Sequence, residues 1–147
     1  MDTLLREATP TDIDQVMGLY AQPAFDNGHV LSSTEAQAVF ARFARYPNYR
    51  LFVACRGERV VGSYALLVMD NLGHRGTPSA VVEDVVVAAD LQGQGIGRLM
   101  VAHAVAEART AGCYKLALSS NLRRTDAHRF YEALGFTRHG VSFVIQP

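Results

Sequence analysis

Residues 81–100 read V-V-E-D-V-V-V-A-A-D-L-Q-G-Q-G-I-G-R-L-M, and the rest of the chain is organised around them. A run of branched apolar residues, interrupted by Glu83 and Asp84, leads through a short polar turn into a glycine-rich loop. From Ile96 to Ala111 apolar residues recur at helical spacing. Glycines let the backbone approach a ligand closely, and the first N–H groups of a helix have no partner within the helix. The stretch therefore predicts a strand, a loop and a helix that together bind an anion.

The composition indicates a single globular domain. The chain has 147 residues, of which 49% are hydrophobic, and its formal net charge is +0, so it lacks the basic surplus expected of a protein that binds nucleic acid or anionic membranes. No signal-peptide pattern and no run of ~18 apolar residues is visible. Cys55 and Cys113 lie in apolar segments, which is typical of unpaired thiols in a reducing compartment. We therefore expect one cytoplasmic domain, residues 1–147, that contacts neither nucleic acid nor membrane.

The pattern outside the opening stretch predicts a mixed α/β domain around one sheet. Ser32 with Glu35 fits a capping box at the start of the second helix. The polar loop 70–78 is interpreted as a plain hairpin connection. The predicted strands cover residues 3–7, 49–55, 60–69, 79–88, 114–118, 136–138 and 141–145, and the predicted helices cover residues 10–22, 32–46, 96–111 and 125–134.

The spacing of the glycines excludes two common phosphate loops. No G-K-[ST] follows, so the loop is not a P-loop, and Arg98 and Met100 stand where the dinucleotide fingerprint requires its third glycine. The loop instead matches Gln-x-x-Gly-x-Gly over residues 92–97, and it resembles the pyrophosphate loop of the GNAT superfamily of acetyl-CoA-dependent N-acetyltransferases. The strand end five residues before Gln92 is also similar to that family, as is the closing motif in residues 128–136, a tyrosine followed by Leu-Gly-Phe.

The resemblance implies an α/β (α+β) GNAT fold, with a mixed central sheet splayed between the fourth and fifth strands and about four flanking helices. It also implies acetyl-CoA as the cosubstrate, no metal, and a possible homodimer that meets at the C-terminal strand. Asn121 would bond the pantetheine arm of the cosubstrate, and a purely structural role as a turn residue is an equal alternative for it. The residues implied to bind the cosubstrate are Val85, Val86, Val87, Gln92, Gly93, Gln94, Gly95, Ile96, Gly97, Arg98, Asn121 and Tyr131.

Two side chains are candidates for proton transfer. An acceptor amine with a pKa near 10.4 must lose a proton, which costs about 4–5 kcal/mol at pH 7. Glu83 and Asp84 lie on the strand that leads to the cosubstrate, and adjacent strand residues point to opposite faces, so we expect one of them to meet the amine. The resemblance to the glucosamine-6-phosphate branch favours Glu83, directly or through water. Tyr131 would protonate the coenzyme A thiolate or stabilise it by a hydrogen bond.

The acceptor is less well defined by the sequence. Val81 stands where the histone-type branch has its basic glutamate, and Ser119 stands where the glucosamine-6-phosphate branch has an acid. Residues 118–121 with 126–131 are closer to bacterial aminoalkylphosphonate acetyltransferases. The candidate acceptor residues are Glu83, Asp84, His74 and Ser119. We expect direct transfer to the primary amine of a small molecule, an anionic amine among the candidates. The alternatives are a protein N-terminal or lysine acetyltransferase and a coenzyme A sensor without activity.

Overall fold

The structure, a computed structural model, describes residues 2–147. It divides into a larger compact unit that ends at Ala117 and a smaller one, Leu118–Pro147, and the two are described separately. The strands are β1 (Leu4–Glu7), β2 (Tyr49–Arg56), β3 (Arg59–Met69), β4 (Ser79–Val87) and β5 (Leu116–Ala117), and the helices are α1 (Ile13–Tyr20), α2 (Ser33–Arg42), α3 (Ile96–Thr110) and α4 (Thr125–Ala133). Short 3₁₀ turns cover Pro10–Asp12, Phe43–Arg45, His74–Gly76 and Ala89–Leu91.

The larger unit is built on one five-stranded sheet in the order β1-β2-β3-β4-β5. The first four strands are antiparallel, whereas β5 runs parallel to β4 and pairs only with Ala80 and Val81. Beyond Val81, the edge of β4 on that side therefore has no neighbouring strand in the part of the chain that the structure describes. The predicted mixed sheet, splayed between its fourth and fifth strands, is confirmed, and the described residues contain the four predicted helices.

Helices cover both faces of this sheet. The apolar sides of α1 and α2 form one core with alternate residues of β2, β3 and β4, Ala65 and Val86 among them. On the opposite face α3 approaches β3 at Gly62, where a Cβ atom would lie 3.0 Å from the sulfur of Met100. A side chain at this position would require Met100 and Ile96 to shift by a few tenths of an ångström, so the glycine allows α3 to pack closely. The Ser32–Glu35 capping box at the start of α2 is present as predicted.

The smaller unit contains α4 and a C-terminal segment. The two closing strands predicted over residues 136–138 and 141–145 are wrong, because residues 135–147 form neither helix nor strand. A β-type sequence becomes a strand only when another backbone supplies its hydrogen bonds. Four apolar side chains of this segment are between 80% and 92% exposed, namely Val141, Phe143, Val144 and Ile145.

The two thiols of the chain are free. Cys55 is buried in β2 and Cys113 is partly buried before β5. Burial raises the pKa of each thiol above its usual value. Within residues 2–147, no helix combines the length and the apolar character needed to cross a membrane.

Candidate functional site

The glycine loop lies between β4 and α3, as the sequence predicts. After β4 ends at Val87, a 3₁₀ turn leads to Gly93 and Gly95, whose φ angles are +78° and +84°. These left-handed values are accessible to glycine at little cost. Gly95 is the N-cap of α3 and provides no side-chain cap for the first helical N–H groups. Because these groups carry the positive end of the helix dipole, the loop is suited to bind a pyrophosphate.

Side-chain contacts fix this loop to the β2–β3 hairpin. Arg59 forms two hydrogen bonds with Asp90, of 2.7 and 3.0 Å, at the 3₁₀ turn that precedes the loop. Arg56 donates a 2.9 Å hydrogen bond to the side-chain carbonyl of Gln94. The predicted phosphate ligand Gln94 therefore has a partner within the protein, whereas the guanidinium-bearing side chain of Arg98 is exposed.

The backbone of Val85, Val86 and Val87 lies next to the unpaired edge of β4. On the β3 side, Val86 pairs with Ser63 and Val87 with Gly62. The other side has no strand partner among residues 2–117. An extended amide-containing ligand can add to such an edge as another strand would. The predicted position for the pantetheine arm is therefore compatible with the sheet geometry.

A β-bulge interrupts β4 directly after Glu83, at Asp84 and Val85. The pairing steps from Ala65 opposite Glu83 to Ser63 opposite Val86, so two residues of β4 stand opposite Tyr64. Asp84, one of these two, has a left-handed φ of +54°. The regular alternation of faces, from which we expected only one of Glu83 and Asp84 to meet the amine, does not hold across a bulge.

The charges of both carboxylates affect the pKa of the same phenol, that of Tyr49. Burial raises the pKa of Tyr49, and the negative charges of Asp84 and Glu83 raise it further. The sequence identified this acidic pair, but it gave no signal for the bulge, because bulges depend on the pairing with β3.

A cavity of about 570 Å³ lies over this part of β4. Asp84 contributes to its lining and Glu83 does not. Burial, and then the charge of Asp26, raises the pKa of the Asp84 carboxyl above its usual value. The complete lining consists of Ile13, Val16, Met17, Tyr20, Phe25, Asp26, His29, Val30, Leu31, Ala36, Val39, Phe40, Phe43, Tyr49, Leu51 and Asp84.

Of the residues that line this cavity, the sequence identified only Asp84 as functional, and it also gave no sign of a neighbour, Gln22. Phe25 and Asp26 lie in the loop between α1 and α2, where no periodic pattern marks a residue as functional. Gln22 fastens the start of this loop to the end of β4: its amide nitrogen donates to the Val87 carbonyl at 3.1 Å, and its carbonyl accepts from the Ala89 N–H at 2.7 Å. These contacts are between residues more than 60 positions apart, so a local pattern could not reveal them.

The two other candidate acceptor residues do not line this cavity. His74 lies in the β3–β4 connection and packs against Tyr114 in a tilted arrangement, with the ring centroids 4.4 Å apart. The loop 70–78 joins two antiparallel strands, so the predicted hairpin connection is confirmed. In the smaller unit, Ser119 is exposed and its hydroxyl lies 3.3 Å from that of Ser142. The roles of His74 and Ser119 in acceptor binding stay predictions.

In the smaller unit Tyr131 is held by aromatic neighbours. Its ring centroid lies 5.3 Å from that of Phe130 and 5.7 Å from that of Phe136, both in edge-on arrangements. Burial raises the pKa of Tyr131, partly offset by the positive charge of Arg124. The phenol therefore keeps its proton at neutral pH and can act as a hydrogen-bond donor.

The side chain of Asn121 belongs to a turn at the start of the smaller unit. Its carbonyl oxygen accepts a 2.9 Å hydrogen bond from the Arg123 N–H. The backbone carbonyl of Asn121 also accepts from the Arg124 N–H at 3.0 Å. This geometry is that of a turn residue, which was one of the two expectations. Contact with a pantetheine arm stays a prediction.

The profile of the Acetyltransferase (GNAT) family matches residues 13–136, a range that includes the glycine loop, the acidic bulge and Tyr131. The chain belongs to the GNAT family. It is an N-acetyltransferase, and the family, the fold and the enzyme class that the resemblance implied are thereby confirmed. The GNAT family uses acetyl-CoA, in agreement with a loop suited to a pyrophosphate.

Individual relatives agree with this assignment. The aminoalkylphosphonate N-acetyltransferase of Salmonella typhimurium is 33% identical over 139 residues, which are 95% of this chain and 88% of that protein. The glucosamine 6-phosphate N-acetyltransferase of Trypanosoma brucei brucei is 35% identical over 81 residues, 55% of this chain and 53% of that protein. The solved structure of a candidate acetyltransferase from Agrobacterium tumefaciens superposes with a TM-score of 0.91 at 34% identity, covering 98% of this chain and 99% of that one.

Proposed function

We propose that this GNAT enzyme transfers the acetyl group of acetyl-CoA to the primary amine of a small molecule by direct attack in a ternary complex. The observation that carries this proposal is the cavity of about 570 Å³ at Asp84, which lies on the same strand whose next residues lead to the glycine loop. A cavity of this volume has the size of a small-molecule site. When bound, acetyl-CoA supplies the acetyl thioester.

The larger unit fits such a cosubstrate. The unpaired edge of β4 exposes the backbone of Val85–Val87, and Gly93 and Gly95 shape a loop whose helical N–H groups lack a side-chain cap. We assign the pantetheine arm to the strand edge and the pyrophosphate to residues 92–98. Asn121 and Tyr131 are the contributions that the smaller unit would make.

The acids of β4 would receive the proton of the acceptor ammonium. Glu83, the residue favoured by the sequence, acts directly or through a water molecule. Asp84 is the alternative, supported by its place in the cavity lining and by burial, which raises the pKa of its carboxyl. A raised carboxyl pKa lies closer to the pKa of the amine, so the carboxylate is a better proton acceptor. The variants Glu83→Gln and Asp84→Asn distinguish the two, since only loss of the base should abolish the acidic limb of the kcat/KM pH profile, where activity rises as the carboxyl group loses its proton.

Tyr131 would donate a hydrogen bond, or its proton, to the departing coenzyme A thiolate. Its raised pKa keeps the hydroxyl protonated, which favours hydrogen bonding over full transfer to a thiol of pKa near 8.5. Tyr131→Phe should lower kcat by about 10²- to 10⁴-fold, the usual contribution of a general acid, with little change in coenzyme A affinity. Tyr114→Phe, which also removes one phenol, is the matched control. An unchanged kcat in Tyr131→Phe would remove this residue from the mechanism.

The experiment that tests the function as a whole is a panel assay. The protein is mixed with acetyl-CoA and with amino sugars, aminophosphonates, arylalkylamines, polyamines and peptides, and release of free thiol is followed. Turnover of small amines supports the proposal. Turnover of peptides alone would instead indicate a protein acetyltransferase, and coenzyme A binding without any turnover would indicate a sensor.

Dimerisation through the C-terminal segment is part of the proposal. Residues 135–147 have a β-type sequence without a strand partner, and they expose Val141, Phe143, Val144 and Ile145. Exposed apolar residues in a row are typical of an interaction surface. Light scattering should give twice the chain mass, and the double substitution Phe143→Ser with Ile145→Ser should give the monomer mass. The predicted cytoplasmic location stays a prediction, which cell fractionation would test.

A further inference from the structure

The lining of the cavity over β4 contains two carboxylates and no lysine or arginine. Its ionisable groups are Asp26, His29 and Asp84 together with the phenols of Tyr20 and Tyr49. We propose that this cavity binds a small monoamine as its ammonium ion, with an apolar body against the aromatic wall, and that it discriminates against amines that carry a phosphate or phosphonate. The inference rests on the proposed function in one respect only, namely that the bound amine is the acetyl acceptor.

The wall of the cavity is aromatic and preformed. Tyr20 stacks on Phe25 with the ring centroids 4.7 Å apart, and Phe43 stacks on Tyr49 at 4.3 Å. Phe40 packs on Phe43 at 5.8 Å. Such surfaces bind apolar rings and chains, and the electron-rich faces also attract a cation. A hydroxyl-rich sugar would leave most of its polar groups unpaired here, because Asp26, His29, Asp84 and the two phenols are the only polar side chains of the lining.

The charge of the cavity is complementary to an ammonium ion. Asp84 and Asp26 are close enough for the charge of Asp26 to raise the Asp84 pKa, and the charge of Asp84 raises the pKa of Tyr20 after burial does. A cation placed among these groups would relieve their repulsion. A phosphate or phosphonate at the same place would add a third negative charge. Recognition of those groups relies on cations or helix N-termini, and this lining contains neither lysine nor arginine.

This conclusion differs from what the names of the relatives suggest. Both the aminoalkylphosphonate and the glucosamine 6-phosphate enzymes act on amines that carry an anionic group. The loop between α1 and α2, which supplies Phe25 and Asp26, determines the charge of the acceptor side.

Binding separates the two acceptor classes without relying on turnover. The full chain, saturated with coenzyme A, is titrated calorimetrically at pH 7 with 2-phenylethylamine, 2-aminoethylphosphonate and glucosamine 6-phosphate. We expect 2-phenylethylamine to bind at least about tenfold more tightly than either anionic amine, since one charge-assisted contact is worth that much or more. Tighter binding of an anionic amine would overturn the inference. Binding of 2-phenylethylamine without its acetylation would leave the inference intact and refute the proposed function.

Substitutions of Asp26 test the electrostatic argument. Asp26 is exposed in a loop, so its replacement should not impair folding. Asp26→Asn should weaken 2-phenylethylamine binding by about 10-fold, and Asp26→Lys should reverse the preference towards 2-aminoethylphosphonate. Glu58→Gln, at an exposed acid in the β2–β3 turn, is the control and should change neither affinity. Unchanged affinities in both Asp26 variants would refute the role of this charge.

Discussion

Gln22 connects the loop that carries Phe25 and Asp26 to the strand that carries Asp84. Its side chain donates to the Val87 carbonyl at 3.1 Å and accepts from the Ala89 N–H at 2.7 Å. Gln22→Ala removes both hydrogen bonds, each with a net contribution of about 0.5–1.5 kcal/mol, so the free energy of unfolding should fall by about 1–3 kcal/mol. Urea denaturation at pH 7 measures this loss. Because the loop lines the cavity, we also expect a higher KM for the acceptor amine, with little change in the KM for acetyl-CoA.

Gln15, near the start of α1, provides a matched control for Gln22, which lies just after the end of that helix. Gln15 donates to the Glu58 carbonyl at 3.0 Å and accepts from the Val60 N–H at 2.9 Å, yet it does not line the cavity. Gln15→Ala should therefore cost a similar free energy of unfolding and leave the acceptor KM unchanged. If both variants raise the acceptor KM equally, the effect comes from general loosening of α1. If Gln22→Ala loses no stability, the two hydrogen bonds do not support the loop.

Two further predictions concern the pH dependence of stability and the glycine loop. The Arg6–Asp12 pair, at 2.7 and 2.9 Å, lowers the pKa of Asp12 from 3.8 to about 2. Because the side chain of Arg6 is 40% exposed, we reduce the stabilisation that this pKa shift implies to about 1–2 kcal/mol. This stabilisation is present above pH 4 and is lost as the pH falls towards 2. Urea titrations of Asp12→Asn should therefore show a smaller loss of stability over that pH range, and an unchanged pH dependence would exclude a contribution of the pair. Gly95→Ala should lower the free energy of unfolding by about 1–2 kcal/mol because φ is +84° at this position, and calorimetry should show weaker coenzyme A binding. Gly18→Ala is the contrasting variant, because Gly18 lies inside α1 with no atom within 4 Å of the new Cβ. It should stabilise the protein by up to about 1 kcal/mol.

The parts of the fold that depend on local sequence could be predicted. The Ser32–Glu35 capping box and the glycines at 93 and 95 act through their own backbone and the next few residues, so a linear pattern reveals them. The spacing of those glycines also excluded the other phosphate loops, and the resemblance of the loop and of the closing motif to the GNAT family indicated the family. The start of α3 at Ile96 follows directly from the same loop.

The parts that depend on distant partners could not be predicted. The closing strands over residues 136–138 and 141–145 have a β-type sequence, but a strand requires a neighbouring backbone, and none is paired with them here. The bulge at Asp84 arises from the register of β4 against β3, and the sequence of one strand alone does not specify that register. The contact of Gln22 with Val87 likewise joins residues that only the folded sheet brings together.

The state of the two cysteines determines how acetyl transfer can be measured. Reagents that detect the released coenzyme A thiol react with thiolates, and any reactive cysteine of the enzyme adds a background signal. Cys55 is only 4% exposed, and burial raises the pKa of both Cys55 and Cys113. A raised pKa lowers the fraction of each thiol that is present as the reactive thiolate at neutral pH. High enzyme concentrations can therefore be used in a continuous thiol assay, which brings even poorly accepted amines within the range of detection.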